Sequence, residues 1–148
     1  MIIAIASDHG GIELKNIIKK YLLSKKIKIK DCGTFTKKSV DYPDFAIKVC
    51  DLIKKDIASI GILICGTGIG MSIAANKIKG IRCALCNDVF SAKMSRKHNN
   101  ANVLAIGARV IGSDLALMLI DVFINNNFEK GRHIKRLKKI NNIEKINI

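Results

Sequence analysis

Short apolar runs alternate with segments of helical spacing along almost the whole chain. The apolar runs are Ile2–Ala6, Ile27–Asp31, Ile60–Cys65, Arg82–Leu85 and Asn102–Ile106. Between and after them, apolar residues recur every three or four positions over Ile12–Leu23, Asp44–Lys55, Met71–Lys77, Val89–Lys97 and Asp114–Phe123. Runs of five or six apolar residues without polar alternation are those of strands buried on both faces. Strict strand–helix alternation then predicts an α/β protein: a three-layer α/β/α sandwich with a Rossmann-like, five-stranded parallel sheet. Pro43, the only proline, suits the first turn of the helix that follows it. The stretch 131–148 carries Ile134, Leu137, Ile140 and Ile143 at helical spacing. It predicts a C-terminal tail helix that packs on this fold or on a second subunit. No linker, repeat or low-complexity segment interrupts the chain, so residues 1–148 are expected to form a single domain.

Composition narrows the class. At 148 residues, with 49% hydrophobic and 26% charged residues, the chain is long enough for a sizeable core. No apolar run reaches the roughly 18 to 20 residues of a membrane helix. The start, Met1-Ile-Ile-Ala-Ile-Ala, lacks a basic leader region and breaks at Ser7-Asp8-His9, so a cytoplasmic location is expected. Five cysteines, an odd number set in apolar segments, argue against a disulfide framework. Cys83 and Cys86 have CxxC spacing, but on a strand residues three apart face opposite ways, so they read as core residues.

The net charge of +14 suggests nucleic acid at first sight. Yet lysines outnumber arginines 21 to 5, aromatics are 5%, and none interleaves with the basic runs as a stacking platform would. Lys19-Lys20, Lys25-Lys26 and Lys54-Lys55 read as solvated helix faces and ends. Neither a nucleic-acid nor a membrane partner is expected.

The chemistry concentrates at Ile60–Met71, Ile-Gly-Ile-Leu-Ile-Cys-Gly-Thr-Gly-Ile-Gly-Met. An apolar strand delivers Cys65 to a turn in which Gly66, Gly68 and Gly70 alternate, and a helix follows. Such a turn lets the backbone approach a ligand closely and presents the amides of Gly66, Thr67, Gly68, Ile69 and Gly70 to an anion. The sulfur stands beside them as a base or nucleophile, in place of the buried structural role most free cysteines have. The spacing is GxGxG, and no Gly-Lys-Ser/Thr occurs, so a P-loop is excluded. Asp88 lies about 20 residues on, as in dinucleotide-binding units, but the glycine spacing and the strand position are wrong for one.

Ligands of parallel sheets bind beyond the carboxyl ends of the strands. Asp8 and His9 follow the first strand there, Asn87 and Asp88 the fourth, and Arg109 the fifth. Asp8 reads either as a site carboxylate or as the N-cap of a Gly10–Leu23 helix. His98 ends a helix. Arg132 and Arg136, four apart, share one face of the tail helix, a spacing that suits bidentate phosphate recognition or a solvated basic tail. Three histidines without ligand-type spacing argue against zinc.

In combination these residues resemble the ribose/galactose isomerase family, in particular its B-type ribose-5-phosphate isomerases. The matching segments are Asp8-His9-Gly10-Gly11, Asp41-Tyr42-Pro43, Ile64–Gly70, Ala74-Ala75-Asn76-Lys77 and Gly80-Ile81-Arg82. They continue through Ser95-Arg96, His98-Asn99, Asn102–Ala105, Gly107-Ala108-Arg109 and Gly131-Arg132-His133 with Arg136. They run nearly end to end and in order. The resemblance implies interconversion of D-ribose 5-phosphate and D-ribulose 5-phosphate without metal or cofactor. It implies Cys65 as the base, within a turn that includes Thr67, and His98 as the ring-opening acid/base. Asp8 would hold the sugar hydroxyls and Asn99 the sugar. His9, Arg109, Arg132 and Arg136 would hold the phosphate or its neighbours, and Tyr42 would pack beside the substrate. Some members carry a glutamate base just after the last glycine; here that position is Met71, so the chemistry rests on Cys65. The resemblance also implies a homodimer, or a tetramer, with an active site shared between subunits. Galactose 6-phosphate and allose 6-phosphate are the alternative substrates within the family, and a basic nucleotide- or RNA-binding domain is the alternative from another class.

Overall fold

The computed structural model describes residues 1–146; the last two residues of the predicted tail helix lie outside the described part. Five strands form the sheet: β1 (Ile2–Ser7), β2 (Lys28–Asp31), β3 (Ile60–Cys65), β4 (Cys83–Leu85) and β5 (Val103–Gly107). The helices are α1 (Ile12–Ser24), α2 (Tyr42–Lys54), α3 (Ile69–Asn76), α4 (Val89–Asn99), α5 (Ser113–Asn125) and α6 (Arg132–Ile146). All strand pairs are parallel, in the order β2-β1-β3-β5-β4. The expected α/β/α architecture is therefore what the chain adopts.

Two helices begin earlier than their hydrophobic periodicity indicates. α2 starts at Tyr42 because Asp41 is its extended N-cap and Pro43 sits in the first turn, where no amide hydrogen is needed. α3 starts at Ile69 because Gly68, with φ of 78°, turns the chain sharply enough for the helix to begin inside the glycine stretch. The N-terminal reading also needs a correction. Asp8 does not cap a continuous Gly10–Leu23 helix: it caps a separate 3₁₀ turn, His9–Gly11, by accepting hydrogen bonds from the amides of Gly10 (2.9 Å) and Gly11 (3.1 Å).

Alternation along the strands divides the core. Ile3, Ile5, Ile60, Ile62, Ile64, Leu104 and Ile106 face α1, α4 and α5, packing on Leu22, Leu119 and Phe123. Ala4, Ala6, Leu63, Cys65, Val103 and Ala105 face α2 and α3, packing on Val49, Ile53 and Met71. The second face is lined mainly by small side chains. Gly61 on β3 lets α2 come close: a Cβ there would stand 2.7 Å from Val49. Cys83 belongs to one face and Cys86 to the other, as a CxxC laid along a strand requires.

The edge strand β4 is protected by a side chain. The Asn76 amide accepts from the Cys83 N–H (2.8 Å) and donates to the Cys83 carbonyl (2.9 Å), so it stands where a sixth strand would pair. α6 crosses near this edge, with Glu144 accepting from the Gly80 amide at 3.0 Å. Its apolar face is poorly covered, Ile140 and Ile143 being 41% and 57% exposed. A groove of about 800 Å³ separates it from β4, lined in part by Ile81, Cys83, Asn99, Ile140 and Ile143.

The core also holds a buried charge. Lys15 of α1 is 1% exposed and donates to Asp31 (2.9 Å) at the end of β2 and to the Thr34 carbonyl (2.7 Å). Lys19 lies 2.6 Å from the second Asp31 oxygen. Burial alone pushes the Asp31 carboxyl up, but the hydrogen bonds from Lys19 and Lys15, with that from the Gly33 amide, hold it below the usual carboxylate range. Removing one partner would leave the other charge buried, which costs about 3–5 kcal/mol. Because the folded-state pKa of Asp31 is depressed, its contribution is present above the unfolded value, near pH 4, and is lost as pH falls through the folded value. Urea titrations of Asp31→Ala should show that loss of stability at neutral pH. The variant should also decline less than the parent between about pH 4 and pH 2.

Candidate active site

The connections from β1 and β3 diverge: β1 leads through α1 to β2 on one side, and β3 leads through α3 away on the other. In sheets of this kind the crevice that takes a ligand lies at such a switch point, beyond the carboxyl ends of the two strands. Asp8 and His9 leave β1 there, and Cys65 leaves β3.

The β3–α3 turn is held by backbone contacts from both neighbouring strands. The Asp8 amide donates to the Ile64 carbonyl (3.0 Å), Ala108 to that of Cys65 (2.8 Å), and Arg109 to that of Gly66 (2.9 Å). Gly107 at the end of β5 lies flat against Thr67: a Cβ there would be 2.6 to 2.8 Å from three Thr67 backbone atoms. Gly68 cannot take a side chain either, its φ being 78° and the Ile106 carbonyl carbon standing 2.9 Å from the position a Cβ would occupy.

Within this turn Cys65 is buried, and its sulfur accepts a hydrogen bond from the Gly68 amide at 3.1 Å. The Ile69 amide donates to Thr67 Oγ1 (3.3 Å). Of the five amides the sequence offers to an anion, two are thus engaged. Those of Gly66, Thr67 and Gly70 make no hydrogen bond inside the protein among the described residues. Thr67 and Ile69 are exposed, so the open amides border solvent.

Three further predicted residues gather here. The Arg109 guanidinium lies over Gly66 and Gly10: a Cβ on either would be 3.3 and 3.5 Å from its nitrogens. Tyr42 at the start of α2 lies on Gly70, its ring 2.5 Å from the place of a Cβ. His9 Nδ1 accepts from the Val40 amide (3.2 Å), which ties the 32–41 loop to the crevice. That loop extends the sheet, since Ser7 and the Gly33–Thr34 pair exchange two backbone hydrogen bonds of 2.7 Å.

The remaining predicted residues lie elsewhere. α4 runs back from the carboxyl ends of the strands, so His98 and Asn99 in its last turn sit at their amino ends. Arg82, just before β4, donates from Nε to the carbonyls of Asn99 (3.2 Å) and Asn100 (2.9 Å) and fixes this placement. α6 begins at the same edge with Arg132 and Arg136, both exposed. Within one chain these four residues are separated from Cys65 by the length of the sheet, roughly 15 Å for five residues of strand.

A compact cluster surrounds His98. Its ring stacks on that of His133, centroids 4.3 Å apart and 11° from parallel. Glu129 lies 3.7 Å from His98 Nε2 through one oxygen and 2.6 Å from Lys97 Nζ through the other. One ligand-type atom from each of His98, Glu129 and His133 falls within 4.8 Å of the others. Stacked rings point their lone pairs along parallel lines, and Lys97 holds the carboxylate, so the arrangement fits a stacked imidazole pair beside a Lys97–Glu129 ion pair better than a metal. Glu129 was missed by the sequence reading. Its signal was its sign, as the one acidic residue between Asp121 and Glu144 in a strongly basic region.

The other cysteines are held as thiols. Burial pushes Cys50 up to about 12 and Cys86 up to about 11, and it raises Cys83 and Cys32 as well.

Known proteins place these features in context. The Ribose/Galactose Isomerase family model matches residues 3–140. Ribose-5-phosphate isomerase B of Escherichia coli is 44% identical over 142 residues, covering 96% of this chain and 95% of that protein. The solved ribose-5-phosphate isomerase B of Clostridium thermocellum superposes with a TM-score of 0.98 at 49% identity, over the whole of both chains. That of Mycoplasma genitalium, solved with bound ribulose-5-phosphate, gives 0.93 at 44% identity, over 97% of this chain and 96% of the other. No helix among the described residues is long and apolar enough to cross a membrane.

The contact between Gly107 and Thr67 predicts a local sensitivity. Gly107→Ala should lower stability by about 1–3 kcal/mol through overpacking against backbone. Gly112→Ala, with nothing within 4 Å of the added methyl, should change it by less than about 0.5 kcal/mol in the same thermal unfolding measurement.

Proposed function

The chain belongs to the ribose/galactose isomerase family, and from that premise we propose that it interconverts D-ribose 5-phosphate and D-ribulose 5-phosphate at a site assembled from two copies of itself. The observation that carries this reading is Cys65, buried at the switch point beside three open amides.

In the proposed reaction the Cys65 thiolate removes the C2 hydrogen of the open-chain aldose as a proton. The electron pair left behind forms the C1–C2 double bond, and the carbonyl electrons move onto O1. The amides of Gly66, Thr67 and Gly70 receive that negative charge as a preorganised oxyanion hole, where each donor is worth about 3–4 kcal/mol. The proton then returns from sulfur to C1, and the O2 proton passes to O1, which leaves O2 as the carbonyl and O1 as a hydroxyl. Atoms and electrons balance without a redox partner, so protein groups alone suffice. Asp8 holds the sugar hydroxyls beside this turn, and Tyr42 packs on the sugar.

Ribose 5-phosphate in water is mostly cyclic, so its ring must open first. His98 takes the proton of the C1 hydroxyl and returns one to the ring oxygen. Asn99 holds the sugar, and Arg132 and Arg136 bind the phosphate together with His9 and Arg109. Because His98, Asn99 and both tail arginines lie at the far edge of their own sheet, they serve the Cys65 of a second subunit. The exposed apolar face of α6 supports such an association. A homodimer is the smallest assembly that completes the site, and its two-fold symmetry completes two sites at once.

The test is isomerisation of ribose 5-phosphate by the purified protein. Cys65→Ala should lower turnover by about 100-fold or more, and His98→Asn by a comparable factor. Mixing the two variants after dissociation and reassembly should restore about a quarter of the activity, because half the dimers are mixed and each then holds one intact site. Failure of the mixture to recover would sink the shared site. Full turnover by Cys65→Ala would sink the assigned base.

A further inference from the structure

The cluster around His98 holds more than the proposed chemistry uses. Glu129 sits on the connector between α5 and α6, and its backbone N–H donates to the Lys97 carbonyl at 2.9 Å, which pins the connector to the last turn of α4. Its side chain repeats the attachment, with one oxygen 2.6 Å from Lys97 Nζ and the other 3.7 Å from His98 Nε2. The hydrogen bond from Lys97, followed by the charges of Lys97, His98 and His133, holds the Glu129 carboxyl below its usual range, so it remains ionised near neutrality.

His133 covers one face of the His98 ring. Its own proton affinity is lowered, first by loss of solvent at this covered spot and then by the charges of His98, Arg132 and Arg136. Its protonated form is thereby disfavoured where it stacks on His98. The other charged groups facing the pair are Lys97 on α4 and Arg132 and Arg136 on α6, all cations. Among the described residues Glu129 is the one anion in the cluster.

We propose that Glu129 is a positioning residue for His98: with His133 as a flat wall, its carboxylate fixes the imidazole's rotation and balances the charge gained when His98 takes a proton. This rests on the assignment of His98 to ring opening. With Nε2 turned toward the carboxylate, the other ring nitrogen is the one presented to the sugar. Without Glu129, a protonated His98 stands among lysine and arginine side chains only, and nothing sets its rotation.

The experiment separates ring opening from proton transfer at carbon. Ribulose 5-phosphate cannot close a five-membered ring, because its O5 is esterified, so exchange of its C1 hydrogen with deuterium from D₂O requires the Cys65 step but not His98. Glu129→Gln should lower turnover of ribose 5-phosphate by about 10- to 100-fold, the range for a weakened acid/base group. It should leave the exchange rate, read by proton NMR, within about 3-fold of the parent, and Glu129→Asp should recover part of the lost turnover. Parallel loss of both rates in Glu129→Gln, or no loss of turnover, would overturn the proposal. A parent protein that neither turns over ribose 5-phosphate nor exchanges ribulose 5-phosphate would instead overturn the functional reading beneath it.

Discussion

Everything at the crevice depends on backbone packed directly against backbone around the β3–α3 turn. Gly107 touches Thr67, Gly68 touches the Ile106 carbonyl, and the carbonyls of Ile64, Cys65 and Gly66 are all taken by amides from the neighbouring strands' ends. A turn held on both sides in this way cannot relax to satisfy its own free donors. That is why, among the described residues, the amides of Gly66, Thr67 and Gly70 make no internal hydrogen bond, and why the buried Cys65 sulfur is held against the Gly68 amide. The same contacts bring Arg109 over Gly66, since Arg109 lies two residues beyond the glycine that β5 ends on. Preorganised donors of this kind stabilise developing charge because they need no reorganisation when it appears.

The second constraint is topological. In a parallel α/β fold every helix returns the chain to the amino edge of the sheet, so the last turn of a helix and the end of a strand are a sheet's length apart. His98 and Asn99 end α4, and Arg132 follows the connector from α5, so all of them are fixed at the edge opposite Cys65. No rotamer change within one chain brings them together. The proposed site therefore divides into two groups of complementary content: a thiol with open backbone amides at one edge, and imidazoles with guanidinium groups at the other. The poorly covered apolar face of α6 lies by the second half.

Charge is distributed to match. Most of the lysines that give the net charge of +14 are exposed, while the buried Lys15 and the half-buried Lys19 pair with Asp31. The arginines are used differently: Arg82 and Arg96 donate to backbone carbonyls around the end of α4, and Arg109 lies over the glycines of the crevice. Burial holds Cys32, Cys50, Cys83 and Cys86 as thiols.

The sequence by itself determined the architecture and marked one part of the candidate site. The central strands β1, β3 and β5 were legible because strands buried on both faces must be apolar throughout. The edge strands β2 and β4 were legible from their place in the strand–helix alternation, and the helices because their apolar residues must repeat every three or four positions. Cys65 with its glycines, Asp8, His9 and Arg109 were legible because strand ends in such a sheet converge on one edge. Only the tertiary structure decided that Asp8 caps a 3₁₀ turn, that Asn76 closes the edge strand, and that two of the five turn amides are already engaged. It alone set Glu129 and His133 against His98 and placed that cluster across the sheet from Cys65. Those features depend on contacts between residues far apart in the chain, and hydrophobic periodicity records which face a residue buries but not what it meets there.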